Sequence, residues 1–432
     1  MAAKYAKIGV SLWSYHNPRE DRTYSHHRTL NSKISPHNTH GWREMRSCIS
    51  RMFSSVAQAE SAQSQEGHWF PHRHILGTSP ISAPVELNWS NFATYDANYP
   101  IEDRHFVAKM TGGHIFASVF DGHGGWQAAE YAQRHLEEYL EAELAHCATH
   151  PGQPLCDSQV QGALSRAFER VERGFITLIH QSFNAGFGAV ARVGTCALVA
   201  LVRGERIFIA NAGDCRAVLG RRQHKNGRIP GITHVPVALS SDHNCREPKE
   251  QLKLRKWHPA EDNVFVCKRP DSCYVKGCLQ PTRSIGDAYL KYPEFNGPPG
   301  QPAGVERHKS RGRHIPPPYT PPYITARPEV TCHMRRTAED DFLILASDGL
   351  WDYLDNQEAV AIVAQGIAEG DEDLGQRLVS AVLQEAAKAQ GMTVDQLRKV
   401  PVGRQRRRLH DDITVVVIRL DKEAQQRAAP IQ

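Results

Sequence analysis

Acidic residues in this chain recur where an apolar segment meets a turn. The segment 116–120 runs into Asp121 and Gly122, and the segment 342–346 ends just before Asp348. Four such acidic clusters occur, and their members are Glu102 with Asp103, Asp121, Asp348 with Asp352, and Asp411 with Asp412. If the apolar segments are strands of a shared sheet, these junctions converge on one edge.

Converging carboxylates suit a particular chemistry. They repel one another, so their pKa values rise unless a cation neutralises them. Oxygen ligands favour hard ions, so Mg²⁺ or Mn²⁺ is expected rather than zinc. Gly122 permits a tight turn and leaves its carbonyl free to coordinate. Two ions about 3.5–4 Å apart would activate a water and clamp a phosphate. His123 would then protonate a leaving oxygen.

A simpler interpretation applies to each cluster alone, because Asp-Gly after a strand is commonly only a turn. A calcium-binding role for these turns is disfavoured, because the acids are dispersed and no 12-residue EF-hand loop occurs. Four clusters in the same strand context favour a shared site over separate turns.

The pattern of apolar residues predicts the elements that position these acids. Short β-branched segments predict strands at 115–120, 197–202, 207–210, 342–346 and 413–418. Helical periodicity predicts one helix over 126–147, a second over 160–181 and two or three more over 357–397. Because strand and helix do not alternate strictly, we expect an α+β fold with an antiparallel sheet rather than a parallel one.

Composition excludes several classes of protein. The 432 residues carry a formal net charge of only +5, which argues against a nucleic-acid binder held mainly by charge. No run of 18 apolar residues occurs, so we expect no membrane span. The ten cysteines are unevenly spaced, which is more typical of a reducing compartment than of a disulfide framework. A zinc site at Cys267, Cys273 and Cys278 is disfavoured by its spacing.

Three segments outside the predicted elements are basic. Residues 1–59 hold nine Lys and Arg against three acids, so the extension 1–85 is either a mitochondrial targeting segment or a disordered extension. The Pro-rich stretch 296–322 is either an insertion loop or a docking surface for an acidic partner. The arginines of 404–408 are either a nuclear localisation signal or, as we favour, part of a solvated loop.

Taken together, six motifs over residues 90–420 resemble the metal-dependent protein phosphatase 2C family. The motifs are Glu102-Asp103, Asp121-Gly122-His123-Gly124-Gly125, Ala212-Gly213-Asp214-Cys215-Arg216, Arg283-Ser284-Ile285-Gly286-Asp287, Ser347-Asp348-Gly349-Leu350-Trp351-Asp352 and Asp411-Asp412. The resemblance implies a central antiparallel β-sandwich flanked by pairs of helices over 86–425, with a dimetal site at one end of the sheets. It also implies a phosphorylated protein as substrate.

The same resemblance implies roles for individual residues. The matching metal ligands are Asp121, Asp348 and Asp411 for one ion; Glu102, Asp121 and the Gly122 carbonyl for the other; and Asp214, Asp352 and Asp348 for a weaker third. Asp103 matches an acid that holds water, and His123 matches the general acid. Asn98 stands where many family members have an arginine that grips the phosphate, which predicts weaker phosphate binding.

Three segments, 98–104, 239–244 and 321–330, are similar to the pyruvate dehydrogenase phosphatase branch of that family. This similarity implies a mitochondrial substrate and therefore a mitochondrial location. The alternative is a cytoplasmic location.

The leading hypothesis is a Ser/Thr protein phosphatase that uses Mg²⁺ or Mn²⁺ and water. No covalent intermediate is needed, so Cys196 and Cys215 are expected to be dispensable. The alternative is a pseudophosphatase that binds phosphoproteins without turnover.

Overall fold

The computed structural model of the protein describes residues 89–148, 154–225, 231–269, 272–297 and 314–420. The predicted N-terminal extension 1–85 and the middle of the predicted insertion, 298–313, lie outside the described residues.

Two antiparallel sheets form the centre of the described chain. The first has the order β1-β13-β12-β6-β7, with β1 Ser90–Tyr95, β13 Ile413–Arg419, β12 Asp340–Ala346, β6 Arg216–Lys225 and β7 Gly231–Ala238. The second has the order β11-β5-β4-β3-β2, with β11 Glu329–Met334, β5 Arg206–Ala212, β4 Gly194–Arg203, β3 Ile115–His123 and β2 Arg104–Lys109. The short strand β10, Ile285–Gly286, pairs with β4, and β8 Phe265–Arg269 pairs with β9 Ser272–Val275.

Helices flank both sheets. The described helices are α1 Gln127–Cys147, α2 Asp157–Asn184, α3 Pro248–Trp257, α4 Asp348–Trp351, α5 Asn356–Glu369, α6 Leu374–Ala389 and α7 Val394–Lys399. The long pair α1 and α2 contacts the second sheet, while α5 and α6 contact the first. The predicted β-sandwich flanked by pairs of helices is confirmed.

The alternation along β12 explains why its sequence is apolar throughout 342–346, after the two aspartates that begin the strand. Leu343 and Leu345 pack between the two sheets, against residues such as Val119 and Leu198. Phe342, Ile344 and Ala346 face the other way and pack against α5 and α6. A strand segment that is buried on both faces exposes no side chains to solvent, so its sequence is continuously apolar.

Two sequence interpretations need correction. Cys267 and Cys273 form a disulfide between β8 and β9, so these two sulfurs are not the zinc ligands considered from the sequence, and the expectation of reduced cysteines does not hold for this pair. The arginine run at 404–408 is not simply a solvated loop, because Arg406 is buried and its guanidinium donates to the carbonyls of Arg398 and Val400.

The Pro-rich insertion is anchored at its base. The Asn296 side chain donates to the Ile315 carbonyl at 2.9 Å and accepts from the Ile315 amide at 2.8 Å. The two ends of the excursion are therefore held together. Within the described ranges, no helix combines the length and apolar character needed to cross a membrane.

Candidate active site

Three aspartates from different elements meet at one end of the sandwich. Asp121 lies near the end of β3, Asp214 lies in the turn between β5 and β6, and Asp348 begins α4. One carboxylate oxygen from each lies within 4.8 Å of the other two. Because β3 and β5 belong to one sheet and β12 to the other, the site is assembled only when both sheets pack together.

A close backbone contact brings Glu102 to the same edge. A Cβ atom on Gly122 would lie only 2.4 Å from the carbonyl oxygen of Glu102. Any side chain at position 122 would push the segment before β2 away from β3. Glycine is therefore required here by packing, in addition to the turn that the sequence suggests.

Asp103 joins the cluster through the first sheet. Its carboxylate is buried, and Ser347 Oγ donates to Asp103 Oδ2 at 2.8 Å. The same hydroxyl accepts from the backbone amide of Thr414 at 3.0 Å. Ser347 thus links the start of β2, the end of β12 and the start of β13.

Asp412 is an anchor for the segment that carries Glu102. One carboxylate oxygen accepts from the backbone amides of Ala97 and Asn98 at 2.7 and 2.8 Å. The other accepts from the Asn98 side chain at 3.0 Å and from the Glu102 amide at 2.9 Å. The Asn98 amide, considered from the sequence as a phosphate-binding group, is therefore bonded to Asp412.

The electrostatics of the cluster disfavour ionised carboxylates. Burial raises the pKa of Asp121 well above its usual range, and Asp348 adds to the rise. Burial raises the pKa of Asp348 in the same way, with Asp214 as the next cause. Burial, followed by Asp412, raises the pKa of Glu102 to about 7. Burial also raises the pKa of Asp411 to about 6, although Arg407 opposes the rise.

Asp352 lies at the margin of the cluster. Burial raises its pKa, with Asp214 adding to the rise and Arg246, 3.7 Å away, opposing it. The Asp214 carboxylate therefore acts on Asp352, while the share of Asp352 in a third metal position stays a prediction.

The donor set fits a hard divalent cation. All of the candidate ligands are oxygens, which Mg²⁺ and Mn²⁺ prefer. Asp348 Oδ1 is buried and has no hydrogen-bond partner among the described residues. A buried carboxylate oxygen without a partner is costly, and a cation bound there would remove that cost.

His123 is oriented by a buried carboxylate. His123 Nε2 lies 2.7 Å from Asp287 Oδ2, which also accepts from Ser284 Oγ at 2.6 Å. Burial lowers the pKa of His123, but Asp287 more than compensates, so the pKa is raised overall. A Cβ on Gly194 would lie 2.1 Å from Asp287 Oδ2 and 2.6 Å from His123 Nε2. Only glycine at position 194 allows this contact.

A buried ion pair supports the turn that carries Asp287. Lys291 Nζ lies 2.6 Å from a carboxylate oxygen of Glu172 on α2 and donates to the Ser284 carbonyl at 2.8 Å. The other Glu172 oxygen accepts from the Gly286 amide at 2.8 Å. Helix α2 therefore fixes the backbone around Asp287, whose own φ of 48° lies in the left-handed region.

Two cysteines close to the cluster are buried thiols. Burial, with Asp214 as the next cause, raises the pKa of Cys196 well above its usual range. Cys196 Sγ donates to Asp214 Oδ1 at 3.0 Å, while Asn244 donates to the other oxygen at 2.7 Å. Burial likewise raises the pKa of Cys215. Protonated thiols are poor nucleophiles, consistent with the expectation that neither is needed.

All of the sequence-predicted site residues lie at this end of the sandwich, although their catalytic and metal-binding roles stay predictions. The sequence reasoning missed two functional candidates. Asp287 was part of a recognised motif without an assigned role, and its left-handed backbone was not apparent from the motif. Arg407 was treated as part of a solvated loop, although its guanidinium forms an ion pair with Asp411.

Comparisons with known proteins define the class. A family model described as "Protein phosphatase 2C" matches residues 96–395. The Arabidopsis thaliana protein "Probable protein phosphatase 2C 68" is 38% identical over 333 residues, which cover 77% of this chain and 78% of the relative. The Oryza sativa subsp. japonica protein "Probable protein phosphatase 2C 28" is 36% identical over 309 residues, covering 72% of this chain and 70% of the relative.

The fold agrees with a solved structure. The serine-threonine phosphatase 2C from Toxoplasma gondii superposes with a TM-score of 0.52 at 16% identity, covering 76% of this chain and 94% of that chain. The sandwich and its flanking helices agree with the fold of that protein. The chain belongs to the protein phosphatase 2C family, whose members depend on metal ions.

Proposed function

We propose that the acidic end of the sandwich hydrolyses phosphoserine and phosphothreonine in proteins with two Mg²⁺ or Mn²⁺ ions. The observation that carries this proposal is the convergence of Asp121, Asp214 and Asp348, with a buried Asp348 oxygen that has no hydrogen-bond partner in the described part of the chain. Asp411, Glu102 and the Gly122 carbonyl complete the proposed ligand set, and Asp352 belongs to a weaker third position. When bound, the ions activate water and neutralise charge on the phosphoryl group.

The residues of the chain have distinct tasks in this proposal. Asp103, fixed by Ser347, positions water at the acidic end. His123 holds a proton on the leaving side, and Asp287 keeps its ring in place and favours the protonated form. Asp412 and Asn98 hold the segment of Glu102 in position.

Hydrolysis of a phosphothreonine peptide tests the proposal. The purified protein would be treated with EDTA, and Mg²⁺ or Mn²⁺ would be added back in the presence of okadaic acid, so that a contaminating phosphatase sensitive to that inhibitor makes no contribution. We expect phosphate release that depends on added metal. A folded protein that releases no phosphate with either ion would instead support the alternative of a phosphoprotein-binding scaffold.

We propose further that the substrate is a phosphorylated subunit of a pyruvate dehydrogenase-like complex in mitochondria. This proposal rests on the similarity of segments 98–104, 239–244 and 321–330 to that branch and on the basic residues of 1–59. Faster dephosphorylation of the intact phosphorylated complex than of a peptide from the same site would support it. Equal rates on the complex and on an unrelated phosphoprotein would contradict it.

The insertion at 296–322 is proposed to dock the protein substrate. Its anchored base means that residues 298–313 can be replaced by a short linker while the Asn296 and Ile315 contacts are kept. The shortened chain should hydrolyse a phosphopeptide at the normal rate and the protein substrate more slowly. Unchanged rates on both substrates would exclude a docking role.

A further inference from the structure

A cationic side chain lies beside the proposed metal ligands. Arg407 belongs to a short 3₁₀ turn, Arg406–Arg408, that ends just before Asp411. Its guanidinium forms an ion pair with the Asp411 carboxylate, yet 48% of its side chain is exposed. An arginine that contacts the acidic cluster and is also exposed to solvent can bind a ligand that enters the site from solvent.

The field around Arg407 comes from several of the clustered acids. Burial lowers its pKa, but Asp411, Asp348 and Asp121 outweigh burial and raise it overall. Burial raises the pKa of Glu102 and of Asp352, and Arg407 in turn opposes the rise in both. Arg407 therefore interacts electrostatically with other acids of the cluster besides Asp411, its ion-pair partner.

The turn that carries Arg407 is held firmly. The buried Arg406 donates to the carbonyls of the nearby Arg398 and Val400 and to that of Asp96, which is 310 residues away in the chain. The Arg407 amide donates to the Gly403 carbonyl at 3.0 Å. A backbone fixed in this way preorganises the neighbouring guanidinium, so less conformational entropy is lost when that group binds an anion.

Other polar groups beside the cluster have partners of their own. Arg104 donates to the carbonyls of Ile101 and Asp103. Arg246 lies between Asp242 and Asp352, at 4.0 and 3.7 Å. Asn98 donates to Asp412. Arg407 differs because its partner, Asp411, is a proposed ligand of one of the two main ions, whereas Asp352, the partner of Arg246, belongs only to the weaker third position.

We propose that Arg407 binds the phosphoryl group of the substrate in the metal-loaded protein. This inference rests on the proposed function of the acidic end. A carboxylate that holds a cation has less charge to offer a guanidinium, so Arg407 can turn its N–H donors to another anion. A guanidinium presents paired donors that match two oxygens of a phosphate dianion.

Direct binding of inorganic phosphate tests this role without relying on turnover. The Mn²⁺-loaded full-length protein, Arg407→Gln, Arg407→Lys and the neighbouring control Arg408→Gln would be compared by isothermal titration calorimetry. We expect about tenfold weaker phosphate binding for Arg407→Gln, since charge-assisted hydrogen bonds are among the strong ones. Arg407→Lys keeps the charge but not the fork and should lie between, while Arg408→Gln should match the wild type.

Affinity for Mn²⁺ alone separates binding from a structural role. Arg407→Gln removes a positive charge beside the metal ligands, so Mn²⁺ affinity should be unchanged or higher. A substitution that disturbed the site would instead lower Mn²⁺ affinity. The inference is overturned if phosphate binds Arg407→Gln within twofold of the wild type, if the wild type binds no phosphate, or if Mn²⁺ affinity falls in parallel. If phosphate binding depends on Arg407 but the protein hydrolyses no substrate, the inference holds and only the proposed function is overturned.

Discussion

The side-chain amide of Asn98 donates to Asp412 Oδ2 at 3.0 Å, across more than three hundred residues of sequence. Asp412 also accepts from three backbone amides of the same segment, including that of Glu102. The carboxylate therefore fixes the proposed ligand Glu102, and Asn98 contributes one of four bonds to this anchor.

Removing the anchor should therefore damage metal binding as well as stability. We expect Asp412→Ala to lower the free energy of unfolding by about 3 kcal/mol and to weaken Mn²⁺ binding, because one buried and three partly buried donors lose their acceptor. Asn98→Ala removes a single bond and should cost about 1 kcal/mol. Urea unfolding and calorimetric Mn²⁺ titration measure both effects. Equal damage from the two substitutions would show that Asp412 is not the anchor.

A second prediction concerns Asp287, which orients His123. Asp287→Asn should lower kcat for a phosphothreonine peptide about tenfold or more with little change in KM, because the imidazole loses the charge that favours its protonated form. The loss should be much smaller with p-nitrophenyl phosphate, whose leaving group needs little protonation.

Comparison of the two substrates is the internal control for that variant. A general disturbance of the site would slow both hydrolyses to the same extent. An equal loss of kcat on the peptide and on p-nitrophenyl phosphate would therefore argue against proton transfer by His123.

A third prediction follows from the acidic pKa values in the metal-free protein. Glu102 and Asp411 have pKa values of about 7 and about 6 when folded, against about 4 in an unfolded chain. The folded state holds these protons more tightly, so its stability declines as pH rises through this range. The Tm of EDTA-treated protein should fall between about pH 4 and about pH 7.

Metal-loaded protein should show a weaker decline, because bound cations neutralise the same carboxylates. The difference in Tm between loaded and EDTA-treated samples should therefore widen with pH. A difference that stays constant from acid to mildly alkaline pH would mean that the cluster is not the site where metal binds.

Much of the fold was predictable because its strands are buried on both faces. Segments such as 342–346 and 413–418 are apolar and β-branched, and both proved to be central strands. The pairing order was not predictable from periodicity, since β1 and β13 are more than three hundred residues apart, at opposite ends of the described chain. Their adjacency depends on the packing of the whole sandwich.

The site was predictable to the extent that acids adjoin strand ends. Sequence periodicity and spacing do not predict contacts that depend on tertiary structure. The bond between His123 and Asp287 depends on the left-handed backbone at Asp287 and on the absence of a side chain at Gly194. The position of Arg407 depends on the burial of Arg406, which an arginine-rich sequence does not suggest.

Turnover by Asp348→Asn tests the central claim most directly, because Asp348 belongs to the aspartate trio and has a buried oxygen that no described residue hydrogen-bonds. The substitution keeps the size of the side chain and removes its charge. Phosphothreonine peptide hydrolysis would be measured with saturating Mn²⁺, alongside the Tm without metal. We predict loss of measurable turnover with a Tm that is unchanged or higher. Normal turnover by the folded variant would contradict the assignment of this cluster as the metal centre.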